Sequence, residues 1–368
     1  MLDRLLAGVV AVAAVAAALG MVVLWPGPSD RPPAEQPPLV PGVVREVAPA
    51  VDGLVRLRVE ALGGEVAGEV LEVEAPTEGF PELRVGDRVE LFPTRLPDEG
   101  EVWFVADLSR RAPLAWLGVL LVGAVLLVGR WRGLRALVGL AASLWVVVGF
   151  MLPAILDGAS PPLVALVGGT VVVLGTLLLT HGVGRTALAA ATGTLGALVL
   201  TVAVGVAAID AARITGYASE DAVYAAFAAG GLDLRGIVLA GLIVAALGVL
   251  DDVTVAQAST VAALHAADPD QPLGTLVARA MGVGRDHIAS VINTLVLAYA
   301  GASLALLVLF STSGLPVVEL LTSELVATEI VKTIVGSIGL IAAVPLTTVV
   351  AAAAALGGRD GAGRSAPA

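Results

Sequence analysis

Cysteine is absent from the 368-residue chain, so disulfides and thiolate metal sites are excluded. Histidine occurs only three times, at 181, 265 and 287, and no pair has the H-x3-H or HExxH spacing of a catalytic zinc. Lysine occurs once, as Lys332, and the net charge is −11, so no basic surface suits nucleic acid. A Walker loop, a GxSxG elbow, a second aspartate motif for diphosphate–magnesium chemistry and a paired-glutamate protease motif are all missing. The expectation is a protein that is not an enzyme and needs no cofactor, with an intramembrane enzyme as the minor reading.

Apolar length is what the chain has in excess. Hydrophobic residues make up 57% of it, against roughly 45–50% in soluble domains. Leu5–Val23 is an apolar run close to the ~20 residues of a full span and reads as an N-terminal anchor over residues 1–25. Residues 26–41 hold seven prolines and read as an extended linker. Between 42 and 112 the pattern turns to period two. Val43–Val47, Leu54–Glu60, Val66–Glu74, Asp87–Phe92 and Val102–Leu108 each alternate apolar and polar, with glycine turns between them. Five short strands predict a small extracytoplasmic β-barrel or sandwich, OB-like by strand count. The segment carries 15 acidic and 8 basic side chains, so most of the chain's acidity is concentrated there.

Residues 113–357 read as a seven-helix membrane domain: Leu114–Val128, Leu134–Leu152, Leu163–Thr180, Ala187–Ala208, Gly236–Leu250, Ile288–Phe310 and Val331–Leu356. With the anchor, the fold class is an all-α polytopic bundle of about eight transmembrane helices carrying the β domain. Residues 358–368 read as a disordered cytoplasmic tail. Arginine sets the orientation. One set of short segments holds Arg4, Arg130, Arg132, Arg135, Arg185, Arg279, Arg285, Arg359 and Arg364, while the other holds Arg213 and Arg235, with Lys332 at its margin. The positive-inside rule then predicts a bacterial plasma-membrane protein with both termini cytoplasmic.

Two segments carry the same tetrapeptide one hundred residues apart, Gly182-Val-Gly-Arg185 and Gly282-Val-Gly-Arg285. Both read as cytoplasmic turns of a parallel repeat, with a shared loop type as the simpler explanation. The first candidate site is Asp251, Asp252, Thr254, Gln257 and Ser259. Gly236–Leu250 is only about 22 Å long as a helix, short of the ~30 Å hydrocarbon core. The aspartates therefore either lie in the inner quarter of a span or mark a helix break followed by a re-entrant segment. Oxygen ligands of this kind suit a hard cation or a proton relay, whereas a solvated helix cap needs neither. The second candidate group is Arg285, Asp286, His287 and Asn293. In it Asp286 would cap a following helix, Arg285 would pair with Asp251 or Asp252, and the Asn293 amide would find a partner inside the bundle. A third group, Glu324, Glu329 and Lys332, reads as structural, with Glu329 and Lys332 at ion-pair spacing.

Leu179-Thr-His181-Gly182, Leu250-Asp-Asp252-Val-Thr254-Val-Ala-Gln257-Ala-Ser259, Gly284-Arg285-Asp286-His287-Ile288, Asn293-Thr294-Leu295 with Tyr299 and Gly301, and Glu329-Ile-Val-Lys332-Thr333 together resemble the YibE/F-like family of bacterial multi-pass membrane proteins. Lys332 stands where arginine is expected and keeps the charge. The resemblance implies a polytopic plasma-membrane protein with an extracytoplasmic N-terminal domain and brings no substrate with it.

The leading functional expectation is a transporter-like permease for an ion or small solute. The alternative is a non-transporting sensor or scaffold using the β domain. Expected partners are the lipid bilayer, an ion or solute, a second copy of the chain or an extracytoplasmic protein, and no nucleic acid.

Overall fold

The computed structural model describes residues 2–27, 39–96, 100–312 and 314–357. Most of the proline linker and the whole C-terminal tail lie outside the described residues. The chain folds as two compact units, residues 29–130 and residues 1–28 with 131–368.

In the first unit, alternation of apolar and polar residues becomes a closed barrel. Its strands are β1 (Val40–Val47), β2 (Leu54–Ala61), β3 (Val70–Pro76), β4 (Arg88–Leu96) and β5 (Gly100–Leu108). They close in the order β1-β2-β3-β5-β4, with β3 and β5 parallel and the other pairs antiparallel. Period two puts Leu57, Val59 and Ala61 inside with Val44, Ala75, Val89 and Leu91, and leaves Arg56 and Arg58 outside. Arg56 faces Glu74 in register and pairs with it at 3.1 Å. Closure decides for a barrel over a sandwich, and it removes the sheet edges that a five-stranded open sheet would expose. The third strand starts at Val70 rather than Val66, because Gly68, at φ +87°, turns the chain first.

The second unit is helical: α1 (Leu2–Val23), the later part of α2 (Arg111–Val146), a π-helical turn at Val147–Met151, α3 (Leu152–Leu156), α4 (Pro161–His181), α5 (Arg185–Ala211), α6 (Glu220–Ala228), α7 (Leu234–Ala267), α8 (Leu273–Ala302), α9 (Leu304–Thr312), α10 (Val317–Thr322) and α11 (Glu324–Gly357). By length and composition six helices among the described residues could cross a membrane, and α8 with α9, bent by 60°, would make seven.

Glycine lets α5, α7 and α11 pack closely at the centre. A Cβ on Gly193 would sit 2.1 Å from Thr347 Oγ1, and one on Gly339 would sit 2.1 Å from Thr201 Oγ1. Each helix thus offers a glycine to a threonine of the other, the small-residue packing that replaces the hydrophobic effect inside a bilayer. One end of the unit gathers the start of α1, the α4–α5 turn and the ends of α7 and α11. Asp3 pairs with Arg185 at 2.9 Å, and Arg185, His265 and Ala355 line one cavity there. At the other end Asp210 pairs with Arg235, and the Glu324 carboxylate accepts hydrogen bonds from the Thr215 and Gly216 amides, both at 2.7 Å.

Several sequence expectations need correction. The two expected spans 114–128 and 134–152 fall in one helical run. It is interrupted at Arg130, whose φ of 48° and ψ of −129° are not helical. The expected span 236–250 does not end at the aspartates, because α7 continues for 34 residues to Ala267. Neither a helix break nor a re-entrant segment exists there. Gly282–Arg285 is not a turn but lies inside α8, which has already begun at Leu273. The repeat of the tetrapeptide is therefore not a repeat of local structure. Gly182 has φ +70° and turns the chain, whereas Gly284 is helical and admits Val344 of α11, whose Cγ1 is 2.5 Å from an ideal Cβ. The expected span 288–310 is instead the latter half of α8, a bend at Ser303 and α9.

Candidate functional site

Asp251 lies 17 residues along α7, about 26 Å from its start at 1.5 Å per residue. No glycine or proline interrupts the chain between Gly248 and Pro269, so nothing stops the helix at the aspartates. Helical geometry then separates the pair. Asp251 turns toward α4 and is half-buried, while Asp252, one residue on, is exposed.

Thr176 of α4 donates its hydroxyl to Asp251 Oδ2 at 3.2 Å. Asp251 Oδ1 is buried and has no hydrogen-bond partner among the described residues. Thr180 lies one turn beyond Thr176 on the same face of α4, and its hydroxyl is 2.7 Å from Nδ1 of His181. The Thr180 hydroxyl also donates to the Thr176 carbonyl at 2.6 Å, so α4 sets two threonines and an exposed imidazole in a row beside a half-satisfied carboxylate.

Further polar contacts run along the same side of α7. Thr254, one turn below Asp251, is fully buried; its Oγ1 donates to the Asp251 carbonyl at 3.1 Å and lies 2.6 Å from Thr194 Oγ1 of α5. Gln257 continues the same face. Its Nε2 donates to the Ala280 carbonyl of α8 at 3.0 Å and to Thr348 Oγ1 of α11 at 2.7 Å. Asp251, Thr254 and Gln257 at i, i+3, i+6 therefore tie α4, α5, α8 and α11 to one helix. Ser259, like Asp252, is exposed and takes no part.

The second expected group does not join this one. Arg285, Asp286 and Asn293 are exposed on α8, and their side chains make no hydrogen bond or ion pair among the described residues. Asp286 caps nothing, since α8 starts at Leu273 after Pro272. Among the described residues Arg285 does not pair with Asp251 or Asp252, and Asn293 has no partner inside the bundle. The face of α8 that meets the bundle is the opposite one, through Leu276, Ala280 and Gly284. His287 is half-buried, with Nε2 unpartnered. Glu329 and Lys332 form the expected i, i+3 ion pair, at 2.8 Å.

Sequence reasoning missed Thr176, Thr347 and Thr348. Counting hydroxyls inside apolar runs would have found them, because a threonine in a span must satisfy its hydroxyl on its own helix or a neighbour. Thr347 is the exception: its Oγ1 is buried against Gly193 with no hydrogen-bond partner among the described residues. No three His, Asp or Glu side chains gather in a metal-binding cluster among the described residues.

The YibE/F-like protein family model matches residues 117–356, about two thirds of the chain. The chain belongs to the YibE/F-like family. The YibE/F-like region contains all the candidate residues from Asp251 to Asn293, while the barrel lies before it. No curated protein and no solved structure matches the chain.

Proposed function

We propose that this membrane protein is a permease for a proton or small ion, not an enzyme, with Asp251 as the group that takes up and releases the moving charge. The observation that carries the reading is the unpartnered, buried Oδ1 of Asp251 beside the Thr176 hydroxyl. A carboxylate within an apolar span costs roughly 2.5–3.5 kcal/mol on insertion scales, and such groups concentrate on ion paths. The Thr176–Thr180–His181 side of α4 supplies hydroxyls and an imidazole from the site to an exposed position. A proton suits the site better than a divalent cation, which would want six or more oxygens.

The topology belongs to the same reading. The run from Arg111 to Leu156 is 46 residues, about 69 Å as a helix and more than twice the hydrocarbon core. Read as two spans meeting at Arg130, and with α8 and α9 as one, it brings the count to eight in a bacterial plasma membrane. The arginine-rich ends face the cytoplasm with both termini, and the barrel faces outward. The test is charge flux through purified protein in liposomes, with Asp251→Asn as the deciding variant.

A sensor or scaffold reading rests on the barrel. A cavity of about 550 Å³ lies against β2 and β3, lined by Glu46, Arg56, Arg58, Glu72 and Glu74 among others. Its mixed charge suits a polar peptide or solute outside the membrane.

A further inference from the structure

The two faces of α8 differ in burial and polarity. One face buries Leu276, Ala280 and Gly284 and continues through Ile288, Val291 and Leu295 onto α7 and α11. On the opposite face, Gly282, Asp286, Ala289, Asn293 and Leu297 recur at spacings of four, three, four and four residues, and all are exposed. That is one helical stripe.

Given the membrane reading above, this stripe cannot face lipid alone. Hydrocarbon offers no partner to the Asn293 amide, and an unsatisfied polar group there costs several kcal/mol. Within the helical unit nothing covers Asp286 or Asn293 among the described residues. We infer that α8 forms the interface with a second copy of this chain, the two α8 helices running parallel about a two-fold axis along the membrane normal.

Self-complementarity selects a second copy over a different protein. An amide carries both a donor and an acceptor, so Asn293 on a two-fold axis pairs with its own image. Arg285 and Asp286 are adjacent and opposite in charge, so across the same axis each arginine meets the other copy's aspartate. Gly282 and Ala289 are small enough to let the two backbones approach. Asn293 lies eight residues, about 12 Å, deeper along the helix than Arg285, so the charged pair can sit near the interface and the amide within the core.

The natural absence of cysteine makes the test direct. Single cysteines at Gly282, Ala289 and Leu297, and a control at the exposed Val199 of α5, are oxidised in native membranes of cells expressing the full chain. The three α8 positions should give disulfide-linked species of twice the chain mass, and Val199→Cys should not. Added to Ala289→Cys, Asn293→Leu should lower the yield about fivefold, the scale of an interhelical hydrogen bond, and Asn293→Gln should restore most of it. Native mass spectrometry of the wild-type protein should give a dimer. A monomer mass, cross-linking confined to Val199, or α8 adducts with a protein of another mass would overturn the inference. These readouts are stoichiometric, so their failure leaves the Asp251 reading untouched, and loss of ion flux does not bear on the dimer.

Discussion

Thr176 and Asp251 meet across the α4–α7 contact, hydroxyl to carboxylate oxygen at 3.2 Å, from positions 75 residues apart in the chain. The contact satisfies only one oxygen of the carboxylate. The other stays buried and without a partner among the described residues.

The bundle that holds this contact depends on its glycine–threonine approaches. Gly193→Ala places a methyl group against Thr347 Oγ1 and within 3.1 Å of the Thr347 Cα, which is backbone and cannot turn away. The expected cost is about 1–3 kcal/mol, the range of overpacked cores. Gly196→Ala, three residues on, meets only Leu346 Cδ1 at 3.7 Å and should be neutral or gain up to about 1 kcal/mol from helix propensity. Thermal unfolding of the two variants in detergent separates them; equal midpoints would refute the close approach.

Gln257→Leu removes the side chain that joins α7 to α8 and α11 while keeping its volume roughly constant. Thr348 keeps its bond to the Val344 carbonyl, so one hydroxyl stays satisfied, and the Ala280 carbonyl loses its extra donor. The expected loss is about 1–2 kcal/mol, and hydrogen exchange should rise first in α8 around Ala280. Unchanged protection there would mean that the apolar contacts of α8 alone hold it.

Topology is checked with cysteines at Glu72 in the barrel and Ser365 near the C-terminus. An impermeant reagent applied to intact cells should label Glu72→Cys and leave Ser365→Cys untouched until the cells are opened. Labelling of Ser365→Cys from outside would reverse the arginine-based orientation.

Strands were legible because half-buried sheets impose a period of two, and β2 shows it directly, with Leu57, Val59 and Ala61 in and Arg56 and Arg58 out. Span ends were not legible, because an apolar run and a helix stop for different reasons. Hydropathy falls at Asp251, yet the helix runs on to the Asp268–Pro269 stop, so of the two alternatives the helix break is the one the structure excludes. Gly282 and Gly284 misled for a related reason: in water glycine marks turns, but in a bundle it marks close packing, here against Val344. The depth and polarity of Asn293 predict a partner inside the bundle. Its position opposite the Leu276–Ala280–Gly284 face follows from helical phase, which the hydropathy of the run does not carry. The pairing of Asp251 with Thr176 depends on which helices are neighbours, and no local pattern encodes that.

The most direct test of the account is proton- or cation-driven flux in liposomes holding wild-type protein, Asp251→Asn or Asp252→Asn. Asparagine keeps the shape of the aspartate and its contact with Thr176 but cannot carry the charge. The account predicts measurable flux for wild type, near-wild-type flux for Asp252→Asn, and loss of about tenfold or more for Asp251→Asn, since removing an essential ionisable group on such a path removes the carrier itself. All three proteins should elute as the same monodisperse species. Full flux in Asp251→Asn at wild-type folding, or none in the wild type for any proton or monovalent cation gradient, would contradict it.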